Sequence, residues 1–201
     1  MISQAVRMTR GQRWLLGAFG ALVAATWINP PWPAEQALHS SLTAVAVVGL
    51  WLLRRRLDTA QWAWALAFLA LHTIAARWIY SFVPYDDWTD AVFGARLSEL
   101  FSWERNHFDR LVHFAYGVCL TAVLRLKWLR SLEIVLATSA LYELLEWAIA
   151  MTLGAETAEA YNGQQGDMWD AHADMALAAL GALVTSLASS VRRRSPAATT
   201  Q

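Results

Sequence analysis

The chain has 201 residues, 57% of them hydrophobic and only 16% charged, with twelve tryptophans; soluble domains carry roughly 25% charged residues. Sixteen basic and sixteen acidic residues balance to a net charge of zero, so a net-basic nucleic-acid surface is not indicated. The single cysteine, Cys119, excludes an intrachain disulfide and any cysteine-based metal motif. What remains is the composition of a polytopic membrane protein.

The chain opens with Arg7, Arg10 and Arg13 before an apolar run from Trp14 to Ile28. This imitates a secretory leader, with Ala24-Ala25 in the place of a cleavage site. Retaining the run as a helix is the expectation here, because it completes the charge pattern described below. Six apolar segments follow one another, near 13–29, 37–53, 60–82, 108–124, 131–152 and 168–190. Most approach the ~20 residues that cross a hydrocarbon core of about 30 Å, where the backbone must satisfy its own hydrogen bonds as helix. The expected fold is therefore all-α, a bundle of six transmembrane helices. One transmembrane domain over 13–190 follows a short N-terminus, 1–12, and precedes a basic, disordered tail, 191–201.

Between the first two segments, Asn29-Pro30-Pro31-Trp32-Pro33 makes a rigid turn, since proline blocks helix continuation. The long 83–107 connection is mainly acidic. Within it Thr89-Asp90 is expected to cap a short helix that puts Phe93, Leu97, Leu100 and Phe101 on one face, as an interfacial connector or a lid.

Basic residues fall on alternate connections: Arg7, Arg10 and Arg13; Arg54, Arg55 and Arg56; Arg125, Lys127 and Arg130; and Arg192, Arg193 and Arg194. The connections 29–36 and 154–166 have none. The positive-inside rule puts both termini in the cytoplasm. Trp27, Trp32, Trp78, Trp147 and Trp169 then fall near the outer headgroups, and Trp14, Trp51, Trp62 and Trp128 near the inner ones.

On this topology the unusual residues share one depth. His72, Arg77 and Tyr80 lie in the outer part of the third segment. Asp109, Arg110 and His113 lie in the outer half of the fourth, Glu143 and Glu146 in that of the fifth, and Asp167, Asp170 and Asp174 in the first turns of the sixth. Asp109 and His113, four residues apart, share a helix face. Ionisable groups inside a membrane are costly and usually face a bundle interior or a cavity. Clustered carboxylates repel unless protonated or joined by a cation. Imidazole with carboxylates suits zinc, iron or manganese, and carboxylates with water suit magnesium. Against this stand simpler readings: His72 as a hydrogen-bonded core histidine, Asp109 paired with Arg110 or Arg77, Glu143 with Arg77, and Asp167 as a helix cap. Gly181 is read as a point where another helix approaches closely.

Three stretches carry a resemblance: Arg105-Asn106-x-x-Asp109-Arg110-x-x-His113-Phe114; Tyr142-Glu143-x-x-Glu146-Trp147; and Gly163-x-Gln165-Gly166-Asp167-x-Trp169-Asp170-x-x-x-Asp174-Met175. Together with His72-Thr73, Tyr80 and Val83-Pro84, they resemble the YjdF-like family of bacterial inner-membrane proteins over roughly residues 60–190. The departure is Ala75-Ala76, where a glycine is expected. The order of motifs in the last three segments is also similar, more weakly, to VanZ-like proteins. The resemblance implies a bacterial inner-membrane location and no particular reaction.

Three functions fit the residues. In the first, an outward-facing pocket holds a divalent metal (Zn, Mn, Mg or Fe) and acts on an envelope lipid or lipid-linked substrate. His72, His113, Glu143, Asp170 and Asp174 are then candidate ligands, Asp109 and Glu146 candidate general bases, and Arg77, Arg110 and Tyr80 substrate-binding groups. In the second, the pocket binds or transports a lipid headgroup or cation without chemistry. In the third, the polar cluster fixes helix packing in a scaffold.

Overall fold

The computed structural model describes residues 8–154 and 161–194, the last three of these by their backbone alone. Arg7 and the tail beyond 194 lie outside the described residues. Among those described, the chain forms eight helices and no strand: α1 (Arg10–Thr26), α2 (Pro33–Leu52), α3 (Thr59–Arg77), α4 (Tyr85–Phe93), α5 (Leu97–Phe101), α6 (Phe108–Leu124), α7 (Trp128–Thr152) and α8 (Asp170–Arg194).

Two helices start at polar caps lying just before the apolar runs. Thr9 and Gln12 form a capping box on α1, and Asp58 and Gln61 form one on α3. The same glutamines also tie helices together. Gln12 Nε2 donates to the Leu57 carbonyl (2.9 Å), and Gln61 Nε2 donates to that of Val123 (2.6 Å). With the Arg125–Asp58 ion pair at 2.5 Å, these contacts bring the basic ends of α1, α3 and α6 together. At the opposite end Gln36 Nε2 donates to the Thr26 carbonyl (3.1 Å), and Asn106 Nδ2 to that of Val83 (2.9 Å). Pro33, at the first turn of α2, costs no hydrogen bond there.

The third apolar segment is helical over a shorter stretch than its hydropathy implies. After Arg77 the chain turns through left-handed Ile79 (φ 42°) and Tyr80 (φ 59°), which sends Tyr80 back to bond His72. The 83–107 connection holds two helices, not one. Gly94 (φ 67°) ends α4, and Thr89 donates to the Asp86 carbonyl inside that helix instead of capping it. Trp62, in the first turn of α3, is turned inward rather than outward: it is 1% exposed, packed with Phe19, Leu66 and Leu69 between α1 and α3.

The closest helix pair is α6 with α8. A Cβ on Gly117 would collide with the backbone of Ala178, and one on Gly181 with the carbonyl of Phe114. Small residues let two backbones touch in this way, which bears out the reading of Gly181. Ala178 and Ala182 continue the contact beside Val135 of α7.

Both α7 and α8 are long and apolar enough to cross a membrane, with a mean hydropathy of 1.5. A soluble core helix of that hydropathy would be mostly covered. Only 11% of the apolar window of α7 is buried, and Leu141, Leu144, Trp147 and Met151 point away from the protein. Lipid is the solvent that tolerates such a surface.

Candidate functional site

Asp109 occupies the first turn of α6, and its i+4 neighbour His113 lies one turn further in. Close packing of α6 on α8 brings Asp174 to them. One ligand atom each from Asp109, His113 and Asp174 lie within 4.8 Å of one another, and all three residues are buried. His113 Nε2 is 3.5 Å from Asp109 Oδ1. Glu143 of α7 lies within electrostatic reach of His113, Asp174 and Asp109, and Glu146 within that of Glu143 and Asp109.

Around this trio runs a lattice of arginines and aspartates joining α6 to α8. Arg110 reaches Asp174 Oδ1 at 2.5 Å, Asp170 Oδ1 at 2.7 Å and Asp167 Oδ2 at 2.9 Å. Arg105 reaches Asp170 Oδ1 at 2.9 Å and Asp167 Oδ2 at 3.2 Å. Charge-assisted bonds this short are the strong kind. Asp167 also accepts from the Trp169 backbone N–H at 2.9 Å, turning the chain into α8. That bond, and after it Arg110 and Arg105, hold the Asp167 carboxyl below its ordinary range. His107, just before α6, is pushed down by burial and then by the same two arginines. A further clamp fixes the two connections: Asn106 N–H donates to Gln165 Oε1 (2.9 Å), and Gln165 Nε2 donates back to the Asn106 carbonyl (3.0 Å).

The sequence candidates divide into three groups. Asp109, His113 and Asp174 converge, with Glu143 and Glu146 beside them. Asp170 is engaged by the two arginines. Arg77 is turned elsewhere, and His72 and Tyr80 bond each other on the wall of a cavity that His113 also lines. Arg77 does not pair with Asp109 or Glu143; it donates to the carbonyls of Thr26 and Ile28 at the C-terminus of α1, where the helix dipole favours a cation. His72 is hydrogen-bonded at both ring nitrogens, to the Tyr80 hydroxyl and, at 3.3 Å, to the His39 carbonyl. His39 stacks on Tyr161, with ring centroids 4.5 Å apart. Arg105 and His39 were not among the candidate site residues. The signal for His39 was there, as an ionisable side chain inside an apolar run.

An apolar cavity of about 220 Å³ adjoins the trio, bordered by His113, His72, Tyr80 and Tyr142 at one end.

The bundle, its lipid-facing helices and this buried ionisable cluster define a helical integral-membrane protein. The chain belongs to the family described as "Predicted membrane protein (DUF2238)", whose model matches residues 11–195. It is 32% identical over 146 residues to the inner membrane protein YjdF of Escherichia coli (strain K12), a match covering 65% of this chain and 66% of that one. This chain thus spans slightly under two thirds of that relative's length. No solved structure matches it.

Proposed function

We propose that this is a multi-pass inner-membrane protein in which α1, α2, α3, α6, α7 and α8 cross the bilayer with both termini cytoplasmic. Near the outer surface, Asp109, His113 and Asp174 hold a divalent metal for chemistry on an envelope lipid or lipid-linked substrate. The observation carrying this reading is the convergence of three buried ligand atoms within 4.8 Å, from two helices. Two carboxylates and an imidazole are a donor set for zinc, manganese or iron. Such a metal lowers the pKa of bound water and polarises an ester or phosphoryl oxygen. Glu143 and Glu146 stand beside the trio as proton acceptors. Asp170 lies outside this trio and is held by both Arg105 and Arg110, whereas Asp174 pairs with Arg110 alone.

A structural reading is favoured for one part of the cluster only. The lattice of Arg105 and Arg110 with Asp167 and Asp170 locks the two connections and positions Asp174. Metal analysis by mass spectrometry on protein purified in mild detergent separates the two roles. Wild type and Asp170→Asn should retain near-stoichiometric metal, whereas Asp109→Asn and His113→Gln should lose it while remaining folded. Absence of metal from the wild type after zinc, manganese, iron and magnesium have each been offered back would sink the metal site.

A further inference from the structure

The cavity beside the trio has a mostly apolar wall with a few polar groups set into it. α3 and α7 run away from the basic end of the bundle, and α2 and α6 run towards it. On α3, His72 lies nearer the acidic end than Phe68 and Leu69; on α2 and α6, Thr43 and His113 sit between apolar or aromatic neighbours; and on α7, Thr138 and Ser139 add hydroxyls below Tyr142. The His113 and Tyr142 rings stand 6.0 Å apart on the side of the trio. The rest of the wall is largely hydrocarbon, broken by Thr43, Thr138 and Ser139.

The cavity also has a side. Both α2 and α7 line it, yet among the described residues they do not pack closely on each other. α2 packs on α3, and α7 packs on α8 and α6. Both helices also carry exposed apolar residues, Val45 and Val48 on α2 and Leu141 on α7, each more than half exposed. One wall group points to an occupant. Ser139 is 2% exposed, and its Oγ has no hydrogen-bond partner. A buried hydroxyl left unpaired is unfavourable, and this one sits about one helical turn below Tyr142. Apolar cavities of about 150 Å³ hold a benzene-sized molecule, so about 220 Å³ has room for a longer hydrocarbon segment.

We propose that the hydrocarbon chain of a membrane amphiphile enters this cavity sideways from the bilayer, between α2 and α7. Its polar head lies at His113 and Tyr142, and Ser139 bonds an oxygen at the junction of head and chain. The inference rests on the membrane-embedded, metal-bearing reading of the site and supplies that site with a class of ligand.

The test is photocrosslinking in nanodiscs of phosphatidylethanolamine and phosphatidylglycerol. Two probes are compared, a phosphatidylglycerol with a diazirine in its acyl chain and a farnesyl phosphate with a diazirine in its isoprenyl chain. Labelled residues are mapped by mass spectrometry, and metal content is measured on the same samples. Wild type should label at Ala46, Thr138 or Ser139 with at least one probe, and unlabelled probe should compete. Labelling of lipid-facing Leu187 should not be competed. The probe that labels distinguishes an acyl from an isoprenyl source. Ala46→Trp, or Ser139→Leu if the first does not fold, should lose the cavity labelling and keep both the Leu187 labelling and the metal. Cavity positions that never label, or that label without competition, overturn the proposal even when metal is bound. Loss of metal with competed labelling intact overturns the metal reading and leaves the chain site standing.

Discussion

Arg110 forms ion pairs with three carboxylates, those of Asp167, Asp170 and Asp174, from a side chain only 13% exposed. Removing one partner of a buried charge network is strongly destabilising, by about 3–5 kcal/mol, because the remaining charges are left uncompensated. Arg105 shares Asp167 and Asp170 but makes no ion pair with Asp174. Arg110→Ala should therefore destabilise the detergent-solubilised protein by about 3–5 kcal/mol, and Arg105→Ala by clearly less, in paired thermal unfolding curves. Equal losses would mean that Asp174 does not depend on Arg110. Asp167 gives the lattice a pH signature. Its folded pKa lies below the ordinary value because the Trp169 N–H, Arg110 and Arg105 favour the carboxylate. A depressed carboxyl pKa contributes stability that is complete above the unfolded value, near 3.9, and is lost as pH falls through the folded one. The Tm difference between wild type and Asp167→Asn should be constant from about pH 5 to 8, begin to shrink only below about pH 4, and vanish once the pH is below the depressed folded value.

The α6–α8 pair stands or falls on two glycines. A side chain at Gly117 or Gly181 meets the backbone of the facing helix, which cannot move aside as a flexible side chain would. Overpacking typically costs about 1–3 kcal/mol. Gly181→Leu should lower Tm accordingly and also loosen metal binding, since the same packing carries Asp174 to Asp109 and His113. Gly17→Leu, where nothing lies within 4 Å, should do neither. The long helices were legible in the sequence as apolar runs near the length that crosses a membrane, with the turn through Pro33 parting the first two. The end of α3 was not: no residue preference points to left-handed Ile79, a conformation unusual for a β-branched side chain. Asp109 and His113 were legible as a pair because spacing alone puts them on one face. Depth in the membrane also drew in His72 and Arg77, but it says nothing about the direction around the helix axis. Arg77 turns to the carbonyl end of α1 and His72 to Tyr80, contacts fixed by packing between helices rather than by position along one.

At the scale of the whole molecule, the proposed orientation rests on where the charges gather. Arg125 meets Asp58 at one end of the bundle, beside the connection that carries Arg54, Arg55 and Arg56. At the other end lie α4 and α5, with Asp86, Asp87, Asp90 and Glu99. Exposed Val92, Phe93, Leu100 and Phe101 on these two helices suit a membrane surface rather than water. Basic connections are retained in the cytoplasm, whereas acidic residues contribute little to orientation. The acidic end, and the Asp109–His113–Asp174 site near it, should therefore face outward. Cysteines placed singly at Asp90, Glu104, Arg55 and Lys127 in a Cys119→Ala background test this with a membrane-impermeant maleimide. Spheroplasts should label at Asp90 and Glu104 at once, and at Arg55 and Lys127 only after permeabilisation. The reverse pattern would place the site on the cytoplasmic side and remove envelope lipids of the outer leaflet from its reach. Prompt labelling of Arg55 but not Lys127 would mean that α3 and α6 do not both cross. The metal trio would then have to be read as a pocket between a peripheral helix and the bundle.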